Sequence, residues 1–217
     1  MSEEIHDLFA PQPVVERWER FDGRCWAVRS DEVSLPSGET VVRDYVVHPG
    51  AVGIAALDDR DRMLLINQYR HPVGSYLWEA PAGLLDKPGE DPLAAAKREL
   101  IEEAGLVADS WAVLLDYLNS PGGSSESFRC YLARGLRAAP DGRPVGEAEE
   151  ADMPARWVDL DDALTLVLGG QLQNPTAVMG VLACHAARRA GWTGLRPADA
   201  PWPVRDGLTQ SGRVFAG

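Results

Sequence analysis

Glu99, Glu102 and Glu103 follow one another at the spacing i, i+3, i+4, which puts three carboxylates together on one side of a helix. Like charges so placed repel by roughly a few tenths of a kcal/mol per exposed pair, so a helix with no other task would alternate Glu with Lys. The only bases nearby are Lys97 and Arg98. Arg98 is better placed to orient a carboxylate, Glu102 one turn on or Glu90 before the helix, than to neutralise the whole group. A divalent cation offsets the repulsion more completely. With oxygen ligands alone on offer and no Cys or His in the cluster, the ion is hard: Mg²⁺ first, Mn²⁺ second, and not zinc.

Such a cluster needs a well-defined helix to carry it. Asp91 can cap the free N–H groups of a first turn, Pro92 suits the next position because its missing donor is unpaired there anyway, and Gly105 marks the stop. Between them Leu93, Ala96 and Leu100 form an apolar stripe on a face apart from the acids.

Together, Gly83, Glu90, Arg98-Glu99-Leu100, Glu102-Glu103 and Gly105-Leu106 resemble the Nudix box, with one extra residue between Gly83 and Glu90. The extra residue lengthens the loop before the helix and leaves the helical spacing intact. The resemblance implies an α/β fold, the Nudix α/β/α sandwich with a mixed sheet. Within it, Glu99 and Glu103 would be the main metal ligands, Glu102 a ligand or the holder of a water, and the Ala82 carbonyl a backbone ligand. Glu90 and Arg98 would hold the shape.

Upstream, Cys25–Val33 and Thr40–Val47 read as strands joined by the turn at 35–39, after a polar lead-in. A sheet of two or three such strands is marginal alone. Residues 1–48 are therefore expected to form a small antiparallel unit leaning on a partner, and 49–217 the main domain, with the boundary at His48-Pro49-Gly50. Trp18, Phe21, Trp26 and Tyr45 are core or a stacking platform. Ala51–Leu57 is an apolar run expected to be a strand buried on both faces. Met63–Tyr69 returns beside it and delivers Arg70, a candidate phosphate contact, to a loop.

Downstream, strands are expected at Trp111–Leu118, Ser127–Leu132 and about 156–158, and helices from about Asp161 and after Asn174-Pro175. The tail beyond Gly191 is expected to be irregular. Pro121, fifteen residues past Leu106, and the surrounding SPGGSSE resemble the ADP-ribose pyrophosphatase branch of the same family. That branch implies Mg²⁺-dependent cleavage of ADP-ribose to AMP and ribose 5-phosphate by a homodimer with exchanged N-terminal sheets. Substrate contacts would fall to Arg43, Arg70, Pro121, Glu126, Glu79 and Trp26. The acidic stretch 138–152, a solvated loop by composition alone, would then supply the general base, Glu150, with Glu149 and Asp152 as alternates and Asp152 as a further metal contact.

Composition narrows the remaining choices. The 217 residues are 45% hydrophobic, enough for a real core, and the net charge of −12 with no basic run argues against a nucleic-acid partner. Cys25, Cys130 and Cys184 are odd in number and lack metal spacing, so free thiols are expected. With no basic leader and no apolar run of spanning length, the expectation is a cytoplasmic protein that meets no membrane. Two other readings compete: hydrolysis of another nucleoside diphosphate sugar or oxidised nucleotide, and a sensor that binds ADP-ribose without cutting it.

Overall fold

The structure, a computed structural model, describes residues 5–144 and 153–215. In chain order the strands are β1 (Val14–Asp22), β2 (Ala27–Ser34), β3 (Thr40–Val47), β4 (Ala51–Ala56), β5 (Arg62–Arg70), β6 (Ser75–Glu79), β7 (Ala82–Leu84), β8 (Leu106–Leu118), β9 (Ser127–Ala138), β10 (Ala155–Asp159) and β11 (Arg196–Pro197). The helices are α1 (Pro92–Ala104), α2 (Leu160–Leu168), α3 (Pro175–Arg189) and α4 (Pro203–Gln210). The chain divides into two compact units, one of residues 1–50, 118–127 and 201–217, the other of 51–117 and 128–200.

The larger unit is an α/β/α sandwich. Its mixed sheet runs β11-β8-β9-β4-β7, with β4 parallel to β9 and antiparallel to β7; β10-β5-β6 form a second, antiparallel sheet. All six residues of β4 are buried, as its unbroken apolar sequence requires of a strand covered on both faces. Helix α1 packs on β4 and β7, α3 on β4 and β6, and α2 on β5, β10 and α3. The core between them contains Leu57, Met63, Leu65, Leu160, Ala177, Val181 and Cys184.

The smaller unit is built on the antiparallel sheet β1-β2-β3. The β2–β3 turn closes where expected, with Leu35 N–H donating to the Glu39 carbonyl at 2.8 Å. Strand β1 lies in the stretch whose polarity concealed it: VVERWERFD carries charges at five of its nine positions, and two of them pair across the sheet, Arg17 with Asp31 and Glu19 with Arg29.

The tail departs from expectation. Within the larger unit Arg196–Pro197 pairs with β8, and Asp116 binds both Arg196 (2.8 Å) and the buried Arg129 (2.8 Å). Within the smaller unit α4 forms despite an internal glycine. Tertiary contacts override the weak helix signal: Gly207 lets the Phe9 ring approach too closely for any β-carbon, and the Gly212 carbonyl accepts from Arg29. Among the described residues no helix is long and apolar enough to cross a membrane.

Candidate active site

Helix α1 begins and ends where its letters dictate. The Asp91 carboxylate accepts from Leu93 N–H (2.9 Å) and Ala94 N–H (3.1 Å), Pro92 opens the first turn, and Gly105 ends it in the left-handed region at φ 65°. The apolar stripe is pinned by the fully buried Ala96 and Leu100. Rotation about that stripe fixes where the acids go. Glu103 points inward, only 5% exposed, and accepts from Ala82 N–H at 2.8 Å. Glu99 lies flat against the backbone at Gly83, so that a β-carbon there would sit 2.1 Å from its carboxyl carbon. Only glycine allows that approach. Two carboxylates and the Ala82–Gly83 backbone are thus gathered in one place.

Arg98 organises the outer side of the cluster. Its guanidinium grips Glu90 through two bonds of 2.9 Å, and one nitrogen also reaches Glu99 at 2.6 Å and Glu102 at 2.8 Å. The hydrogen bonds hold the Glu90 carboxyl below its ordinary range and strengthen the Arg98 proton further. Glu102 is the most solvent-accessible of the three helix acids, with 40% of its side chain exposed. The sequence offered Glu102 or Glu90 as the partner of Arg98; the guanidinium takes both, and Glu99 as well.

Among the described residues no group of three or more His, Cys, Asp or Glu is arranged to hold a metal ion. The donor set nevertheless suits one class of ion: Glu99 and Glu103 beside the Ala82–Gly83 backbone offer only hard oxygen, which fits Mg²⁺ or Mn²⁺ and not a thiophilic metal.

Arg70, at the end of β5, meets Glu79, at the end of β6, at 2.8 Å. Glu79 is 1% exposed, and its second partner is the side-chain amide of Asn174. Burial raises the Glu79 carboxyl above its ordinary range, opposed by the charge and hydrogen bond of Arg70. Asn174 is legible in the sequence only as a helix opener, and nothing in its spacing signals this contact.

In the smaller unit Arg43, Tyr45, Pro121 and Gly122 line a cavity of about 540 Å³, together with Phe9, Asp31 and Arg213. Trp26 stands outside that lining, tilted against Phe21 with ring centres 5.6 Å apart. Glu126 accepts from the Asn119 side chain at 2.9 Å. Glu149, Glu150 and Asp152 lie outside the described residues. The residues flanking them meet near the end of α1, where Arg143 donates to the Glu102 carbonyl (3.3 Å) and to the Met153 carbonyl (3.5 Å).

Residues 47–176 match the model of the NUDIX domain. The chain is 48% identical over 180 residues to an ADP-ribose pyrophosphatase of Mycobacterium tuberculosis, covering 83% of this chain and 86% of that protein. It is 35% identical over 161 residues to a methanol dehydrogenase activator of Bacillus methanolicus, covering 74% and 85% respectively. A crystal structure of an ADP compounds hydrolase superposes with a TM-score of 0.68 at 22% identity, over 96% of this chain and 100% of the other, a likeness of fold. The acid-bearing helix, the glycine it rests on and the sheets around it are those of a hydrolase of the Nudix family, to which this chain belongs.

Proposed function

We propose that the protein hydrolyses the diphosphate bond of ADP-ribose, giving AMP and ribose 5-phosphate, with Mg²⁺ as cofactor and Mn²⁺ as a substitute. The observation that carries this reading is the meeting of Glu99 and Glu103 with the Ala82–Gly83 backbone. The substrate is supported by the 48% identical relative named for that activity. When bound, the metal would neutralise diphosphate charge and stabilise the departing oxygen. Glu99, Glu103 and the Ala82 carbonyl would hold it, with Glu102 and Asp152 as further contacts. Arg98 keeps the acids in register, and Arg70 faces a phosphate.

Water then needs a base. Glu150 takes its proton as the new P–O bond forms and the bridging P–O bond breaks, with the electron pair leaving on the departing phosphate. Residues 1–48 serve in dimerisation and substrate binding, as one half of a domain-swapped homodimer. That role is supported by the cavity lined by Arg43 and Pro121; Glu126 and Trp26 are further proposed contacts, and Glu79 acts on the substrate through its pair with Arg70. All three cysteines are free, which suits the reducing cytoplasm.

The test is a panel of ADP-ribose, other nucleoside diphosphate sugars and oxidised nucleotides with Mg²⁺, products being resolved by chromatography. ADP-ribose is expected to be consumed first, and its survival while another substrate is cut would overturn the assignment. Tight ADP-ribose binding without turnover would instead indicate a sensor.

A further inference from the structure

The Arg70–Glu79 pair does not end at Glu79. The buried Glu79 carboxylate also accepts from the side-chain amide of Asn174, the residue that caps α3. Through its carbonyl oxygen Asn174 accepts from Thr176 N–H (2.8 Å) and from the Thr176 hydroxyl (2.8 Å). Thr176 in turn accepts from Ala80 N–H at 3.1 Å. The start of α3 is therefore bonded to Glu79, the last residue of β6, and to Ala80 just beyond it, while Ala82, two residues on, is bonded to Glu103 of α1. One short segment, 79–82, is held by a helix at each end. Arg70 is partly exposed and carries a long, mobile side chain, so its direction depends on how firmly its carboxylate partner is fixed. Glu79 lies too deep to meet a ligand without displacing its own partners, and its influence passes through Arg70.

We propose that Asn174 is a positioning residue for substrate binding: by fixing Glu79 through its amide, it aims the Arg70 guanidinium at the substrate diphosphate. The proposal rests on the reading of Arg70 as a phosphate contact. It separates two roles of one side chain, since the oxygen caps α3 and the nitrogen holds Glu79.

Asn174→Ser and Asn174→Thr both keep a cap-competent oxygen, lose the amide donor and bring no charge beside Glu79. Steady-state kinetics with ADP-ribose and Mg²⁺, urea unfolding, and a double-mutant cycle with Arg70→Ala test the idea. In each variant KM is expected to rise about tenfold, the scale of one lost hydrogen bond to a charged group, with kcat near the parent value and a lower urea midpoint, because the buried Glu79 carboxylate loses a donor. In an Arg70→Ala background the same substitutions are expected to add nothing to KM, because the group they aim is gone. A lowered urea midpoint with unchanged KM would leave Asn174 a helix cap alone and overturn the proposal, as would KM effects that add to those of Arg70→Ala. If Arg70→Ala itself leaves KM unchanged, the phosphate-contact reading fails first and the proposal falls with it, a distinguishable result.

Discussion

At the scale of single residues, the site divides its acids by depth. Glu103, buried and bonded to the Ala82 amide, is committed to one geometry, whereas Glu102 sits half in solvent beside Arg98. Glu103→Gln keeps the shape and removes the charge. It is expected to lower kcat by about a hundredfold or more, the scale of losing electrostatic stabilisation at a reacting centre, and to weaken Mn²⁺ binding in calorimetry; parent activity would sink the metal reading. Glu150→Gln is expected to cost roughly 10²–10⁴ in kcat with ADP-ribose binding kept, as for loss of a general base. An unchanged rate would move the base to Glu149 or Asp152. Glu79 gives a pH signature. Its folded pKa is raised above the ordinary 4.5, so the native state binds the proton more tightly than the unfolded chain. The stability it contributes is therefore present below 4.5 and is lost as pH rises through the raised value. Relative to Glu79→Gln, which cannot titrate, the parent should lose stability on going up through that window in urea melts at stepped pH. The opposite slope would show that Arg70 outweighs burial.

At the scale of elements, α1 is a local construction placed on a non-local floor. Asp91, Pro92, the apolar stripe and Gly105 specify the helix within its own sequence, which is why its limits are legible there. The floor is different. Gly83 reads as one letter of a motif, and only the packing of α1 on β7 shows that the missing side chain is space taken by Glu99. Gly83→Ala should displace the Glu99 carboxylate and weaken Mn²⁺ binding roughly tenfold or more, by analogy with loss of support around a metal ligand. Asp91→Ala, distant from the acids, should cost only about 1 kcal/mol of folding stability. Calorimetry and denaturation measure the two separately; full Mn²⁺ affinity in Gly83→Ala would contradict the packing argument. Strand β1 and helix α4 show the limit of local reading. One is hidden by charges that pair across the sheet and the other by an internal glycine, and both are stabilised by residues remote in sequence.

At the scale of the whole molecule, the smaller unit gathers three distant stretches of chain, and its cavity needs all of them: Phe9 from the first, Pro121 from the second, Arg213 from the third. A sheet of three strands is a weak fold by itself, and these additions give it a core. The proposed homodimer should appear as a dimer in sedimentation velocity at micromolar concentration. An active monomer would show that the nucleotide is gripped within one chain.

The sequence by itself determined the acidic face and the helix that carries it, because three acids, a cap and a stop lie within one short span and act through neighbours three and four residues away. It also indicated strands β2 to β5 and β8 to β10, helices α1 to α3, and the doubly buried β4, whose apolar run suits a strand covered on both faces. Tertiary structure alone decided which carboxylates Arg98 would take, that Glu99 would rest on Gly83, that the tail would be ordered, and that Asn174 would hold Glu79. The Arg98 partners are near neighbours in the chain and were selected by side-chain geometry; the others join residues far apart in the chain, brought together by packing and burial.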